Sequence, residues 1–215
     1  NMARNAFTEA LRTDAKFGMA YLMRAGTATS AKEFADDLAK GKDNVGSASN
    51  WEKWYAEAMA HSLTGNREKR LELMKKIAAE YPMAARAQAT LGDEYSSDLQ
   101  IDKARAAYAK AISLDPKWVG GYSGLASSCL FDNPIDLKKA EENALKLVEL
   151  SPISGGMHII LGDCYRAQND FAKARDAYAK AVEMDTKNPA GYYKLGHANT
   201  YLGNLEKKKK NYADA

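Results

Sequence analysis

Apolar residues return every three or four positions over most of this chain, a spacing that predicts helices and not strands. Short stretches built from Gly, Pro, Asn and Asp interrupt the pattern at regular intervals. The segments between them are predicted as helices over 51–65, 67–81, 84–97, 102–114, 119–131, 137–150, 156–168, 171–184 and 190–202, with one more running to 215. Upstream, 17–25 reads as a helix, and Ser30-Ala31-Lys32-Glu33 has the form of a capping box that opens another through about Lys40. Residues 41–50, rich in Gly, Ser and Asn, read as a loop.

These segments repeat. Leu91-Gly92-x-x-Tyr95 returns as Leu161-Gly162-x-x-Tyr165, and again as Leu195-Gly196 with Asn199 at the tyrosine position. Residues 103–111 are nearly reproduced by 173–181, so that Ala104 and Tyr108 match Ala174 and Tyr178. The steps from Ala58 to Gly92, Gly92 to Ala126 and Gly162 to Gly196 are each 34 residues. The step from Ala126 to Gly162 is 36, which places two extra residues at Asp132-Asn133-Pro134-Ile135 and predicts a longer turn there.

The period and the residues resemble the tetratricopeptide repeat (TPR) family, whose pattern is W-x-x-L-G-x-x-Y, then A-x-x-x-F, then P. The resemblance covers the chain from about residue 51 onward. It implies an all-α fold, a right-handed α-solenoid of about five to six stacked antiparallel helix pairs, A and B. The units would be 51–84, 85–118, 119–154, 155–188 and a partial 189–215, after partial and degenerate repeats in 1–50. Small residues at Gly92, Ala126, Gly162 and Gly196, and at Ala104, Ala140 and Ala174, would let helices approach closely, with Tyr108 and Tyr178 filling the space between repeats. Pro82, Pro116 and Pro152 stand where one helix stops and the next starts. Residues 6–14 match 107–115, the end of a B helix without its A helix. The chain is therefore expected to be trimmed or processed, or to use this helix as a cap. Lys208 stands where a B helix has a small residue, within the basic run 207–210, and a frayed final helix is expected.

Composition narrows the function. With 31 basic and 28 acidic residues among 215, the net charge of +3 does not call for a nucleic-acid partner. No apolar run is long enough to span a membrane. No signal peptide is visible, although one removed earlier would leave no trace, and export and cytoplasm both remain open. His61, His158 and His197 fall in three different repeats, so no pair has zinc-site spacing and no metal is expected. Cys129 and Cys164 lie on A helices of adjacent repeats and are expected as reduced, buried thiols. Gly120-Gly121-Tyr122-Ser123-Gly124 fails the spacing of a nucleophile elbow. Ser154-Gly155-Gly156 is too short for a phosphate loop. No catalytic set and no cofactor site emerges, so an enzyme is not expected.

The resemblance then implies a binding surface on the concave side, lined by the A helices at positions 2, 5, 9 and 12 of each unit. Those positions give Glu52, Tyr55 and Met59; Arg86, Asp93 and Ser96; Ser123 and Ser127; Ile159, Asp163 and Arg166; and Tyr193 and His197. Relatives that grip the acidic C-termini of chaperones carry lysine at position 5 and asparagine at position 9. Here those positions lack both, so that clamp is absent. The expected wall alternates Asp and Arg and carries tyrosines, which suits a protein or peptide of mixed charge held by aromatic contacts. Two functions follow: a non-catalytic scaffold for a peptide or protein, or an accessory arm of a larger protein. The composition has a bacterial look. An end-to-end homodimer would cover apolar surface near Phe7, Leu11 and Tyr212.

Overall fold

Twelve α-helices and no strand make up the described residues of a computed structural model, which cover 2–46 and 49–213 without the side chains of Met2 and 206–213. They are α1 (Met2–Thr13), α2 (Gly18–Ala25), α3 (Ala31–Asn44), α4 (Asn50–Leu63), α5 (Arg67–Glu80) and α6 (Ala85–Ser97). Then come α7 (Ile101–Leu114), α8 (Val119–Phe131), α9 (Leu137–Leu150), α10 (Gly155–Ala167), α11 (Phe171–Met184) and α12 (Pro189–Ala213). Contacts divide the chain into two compact units, Asn1–Asp98 and Leu99–Ala215. Helices predicted between 51 and 184 are all present, with ends within two residues of expectation.

In the first unit, consecutive helices bury two clusters. Leu22, Ala25, Leu38, Val45, Ala56 and Met59 form one. Leu71, Met74, Ile77, Ala87 and Leu91 anchor the other, with Trp51, Trp54, Tyr81 and Tyr95 against it. The stretch 41–50 is less of a loop than expected, because α3 runs on to Asn44. Ser30 caps α3 by accepting the Glu33 N–H, but the Glu33 carboxylate turns to the N–H and hydroxyl of Thr29. A complete capping box forms instead at Ser49 and Glu52, at the start of α4. In the added turn of α3 Gly41 is buried against Leu22, and Val45, directly after the helix, joins the cluster around Leu22.

In the second unit the small-against-large pairing is explicit. Tyr178 is fully buried, and a Cβ on Gly162 would overlap its ring. Tyr108 packs the other way along the chain, against Gly124 of the following helix α8, and so fills the space between two repeats as expected, whereas Tyr178 fills space within its own repeat. The 36-residue step appears as a five-residue turn, 132–136, with a cis Asn133–Pro134 peptide. Arg105 organises it: its Nη2 donates to the carbonyls of Ser128, Asp132 and Pro134 at 2.8, 3.0 and 2.7 Å.

One regularity concerns the residue three before the Leu of the Leu-Gly pair, or of Leu125-Ala126 in its place. Gln88 Nε2 donates to the Pro82 carbonyl (3.4 Å), the Tyr122 hydroxyl to that of Pro116 (3.1 Å), and His158 Nε2 bonds that of Pro152 (3.0 Å). In each case a polar side chain satisfies a carbonyl six residues upstream, in the turn where proline has stopped the previous helix.

The end of the chain departs from expectation. No turn separates an A helix from a B helix after 202; α12 is continuous from Pro189 to Ala213. In the preceding pair the chain turns through Asn169, with a positive φ of 64°, and Ala174, Ala177 and Tyr178 pack back inward. The corresponding residues here are Lys208, Asn211 and Tyr212, so a returning helix would bury a lysine where alanine is needed. The side chains of 207–210 and Tyr212 lie outside the described residues, and with them the expectations of a basic patch and of end-to-end pairing.

Cys129 and Cys164 are free and fully buried. Burial pushes both thiols up, Cys164 to about 12. Both thiols are held mostly in the unreactive protonated form near neutral pH. A thiol reagent added to the folded protein is therefore expected to react slowly, and quickly once the protein is denatured. Two fast-reacting thiols in the native state would contradict this packing.

Candidate functional site

The A-helix positions singled out in the sequence divide by what the fold does with them. In the first unit, Glu52 accepts the Ser49 N–H and hydroxyl, both at 3.0 Å, and so belongs to the start of α4. Met59 is buried, and Tyr55 packs against both clusters, where burial raises its phenol pKa. Arg86 is half-buried and reaches the Met23 sulfur. Asp93 is exposed and Ser96 half-buried. A cleft of about 140 Å³ lies beside them, lined by Tyr55, Met59, Ser62, Arg70, Met74, Thr90 and Glu94, with Arg70 and Glu94 paired at 2.5 Å.

In the second unit, Ser123, Ser127 and Ile159 are half-buried. Asp163 is buried and fully engaged. It accepts the Tyr178 hydroxyl at 2.7 Å and Lys194 Nζ at 2.6 and 2.9 Å, while Arg166 Nε stands 3.8 Å away. Burial first, and the bond to this carboxylate second, raise the Tyr178 phenol pKa well above the ordinary value. Asp163 is thus a tie between α10, α11 and α12 more than a free wall charge.

Around that tie opens a cleft of about 330 Å³, lined by Arg166, Tyr193, Lys194, His197 and Tyr201. Arg166, Tyr193 and His197 were singled out from sequence, and here they come together. Tyr193 is 68% exposed, and its ring lies 4.6 Å from that of His197. Tyr201 stacks on Phe171 at 4.7 Å with planes 13° apart. Lys194 and Arg166 both face the single Asp163 carboxylate, so the cleft keeps a net positive charge, with the exposed Arg166 the more loosely held of the two cations. The alternating charge expected for this wall reduces, in this unit, to a cationic and aromatic surface. Such a surface can hold a carboxylate beside an apolar or aromatic group.

Lys194 and Tyr201 were missed in the sequence. Tyr201 had a signal, since 193, 197 and 201 are successive i+4 positions and share one face of an uninterrupted helix. Lys194 had none, because its partner lies 31 residues upstream. Among the described residues no group of three His, Cys, Asp or Glu is placed to hold a metal ion, and no helix is long and apolar enough to cross a membrane.

Residues 162–203 match a family model described as "TPR repeat", and 85–117 match one described as "Tetratricopeptide repeat". Among solved structures, TTC0263, a thermophilic TPR protein in Thermus thermophilus, has a TM-score of 0.71 at 15% identity, covering 85% of this chain and 99% of that one. MamA from Desulfovibrio magneticus RS-1 has a TM-score of 0.63 at 16% identity, covering 78% and 93%. The first TPR of Spaghetti (RPAP3), bound to the HSP90 peptide SRMEEVD, has a TM-score of 0.52 at 19% identity, covering 55% and 93%. A curated relative, anaphase-promoting complex subunit 3 of Schizosaccharomyces pombe, is 23% identical over 143 residues, which are 66% of this chain. The match spans about a fifth of that protein, 21% of its length.

Proposed function

Because the chain is a tetratricopeptide-repeat protein, we propose that it is a non-catalytic scaffold that binds a peptide or a partner protein through the exposed faces of its A helices. The observation that carries this is the cleft of Arg166, Tyr193, Lys194, His197 and Tyr201. It gathers side chains typical of interface anchors on rigid helices, with an open cation and open aromatic rings. A structural neighbour bound to a peptide supports the same use of the fold. In the first unit, the proposal gives Arg86, Asp93 and Ser96 a secondary role and leaves Glu52 and Met59 to the fold. The bacterial reading rests on composition alone.

A peptide library displayed on phage and enriched on the wild-type protein tests this. For the peptides recovered, Arg166→Ala and Tyr193→Ala are each expected to weaken binding by about 1–2 kcal/mol with the helical signal unchanged. Lys110→Ala, on the exposed side of α7, is expected to change it by almost nothing. Greater losses from Lys110→Ala than from the cleft variants would move the site elsewhere. A second reading, an accessory arm within a larger protein, is favoured by the relative of which this chain matches only a fifth. In that case the enriched peptides would resemble segments of the same parent protein.

A further inference from the structure

His158 stands three residues before Leu161, where the W-x-x-L-G-x-x-Y pattern has tryptophan. An imidazole fills less space than an indole, and a cavity of about 330 Å³ lies against this position. Leu145 and Val148 of α9, Leu161 of α10 and Ala177 of α11 give it an apolar lining. Leu145 is 46% exposed, so the apolar surface is open and not sealed. The ring of His158 is itself imperfectly housed. Its Nε2 bonds the Pro152 carbonyl, which only accepts, so Nε2 carries the proton. Nδ1 is then a buried acceptor without a partner. A tryptophan at this place would leave no such orphan.

The charges at the rim are unequal. Lys173 is tied to Asp170 at 3.0 Å and lies 5.3 Å over the Tyr165 ring. Asp176 is held by Arg175 through two bonds of 2.9 and 2.7 Å, which offsets its charge. Lys180, seven residues after Lys173 and so on the same face of α11, makes no ion pair among the described residues. The cavity therefore combines an apolar slot, an aromatic wall and one uncompensated cation. It shares no lining residue with the Arg166 cleft.

We propose that this cavity binds a small aromatic carboxylate, with the planar ring over Leu161 and Ala177 in the space the absent indole leaves, and the carboxylate on Lys180. The volume is at the small end of small-molecule sites, about 300–1,000 Å³, and fits one fused ring system. The site is independent of the peptide-binding proposal above.

Indole-3-propionate is the probe, with its neutral amide as control, titrated into the whole protein by calorimetry and by amide chemical shifts. Saturable binding of the acid is expected, at least fivefold tighter than the amide, with shifts centred on α9–α11. Lys180→Ala is expected to remove the preference for the acid. His158→Trp fills the slot and is expected to abolish binding while keeping the helical signal. Leu145→Trp, at an exposed position, blocks the same slot and serves if His158→Trp does not fold. Tyr193→Ala is expected to leave the probe's affinity unchanged. No saturable binding, equal affinity for acid and amide, or full binding with the slot filled each overturns the proposal.

Discussion

Replacing Tyr178 by alanine is expected to lower the stability of the Leu99–Ala215 unit by about 3–5 kcal/mol, the range for emptying a buried aromatic site. Tyr178 is fully buried, and its ring occupies the space that Gly162 leaves by having no side chain. Removing it opens a void between α10 and α11 that helices fixed at both ends cannot close. The hydroxyl adds a second effect: it donates to Asp163, whose other partner is Lys194. Tyr178→Phe isolates that part and is expected to cost only about 1 kcal/mol, because the carboxylate keeps its lysine. Gly162→Leu attacks the same contact from the other side by overpacking and is expected to be severe as well. Urea unfolding followed by circular dichroism measures all three. A loss below about 1 kcal/mol for Tyr178→Ala would mean that the ring is not the packing centre of this pair.

The Gly162–Tyr178 contact was legible in the sequence because it is local and repeated. The same small and large residues return at a fixed period, but which glycine each tyrosine meets differs: Tyr178 meets Gly162 of the helix before it, and Tyr108 meets Gly124 of the helix after it. The long turn at Pro134 was legible for the same reason, as the one break in the period. What the period does not encode is what each helix position faces once neighbours are in place. Met59 and Tyr55 hold groove positions by count, yet α2, in the degenerate N-terminal region, brings Leu22 and Met19 to the same cluster. Asp163 reads as a polar groove residue, and Tyr178 and Lys194, 15 and 31 residues on, make it a buried tie. The final turn was expected from the period alone. The loss of small residues at Lys208 and Asn211 removes the reason for the chain to fold back, and α12 runs straight on.

The second large effect lies in the other unit. Arg24 meets Asp37 side by side, Nε to Oδ2 at 2.9 Å and Nη2 to Oδ1 at 2.6 Å, with side chains 18% and 6% exposed. The bond to Asp37 raises the guanidinium pKa further. Arg24→Met keeps most of the apolar stem but strands the carboxylate, with Arg4 its nearest remaining cation at 3.9 Å. Breaking such a pair on one side typically costs about 3–5 kcal/mol, because the surviving charge stays buried. The double variant Arg24→Met with Asp37→Leu removes both charges and is expected to recover most of that loss, since the pair's own net contribution is small once desolvation is counted. Thermal and urea unfolding of the four proteins form a double-mutant cycle. If the double variant were as unstable as the single one, the cost would lie in the guanidinium's contact with the Tyr21 ring, 5.3 Å from its centre, and not in the stranded carboxylate.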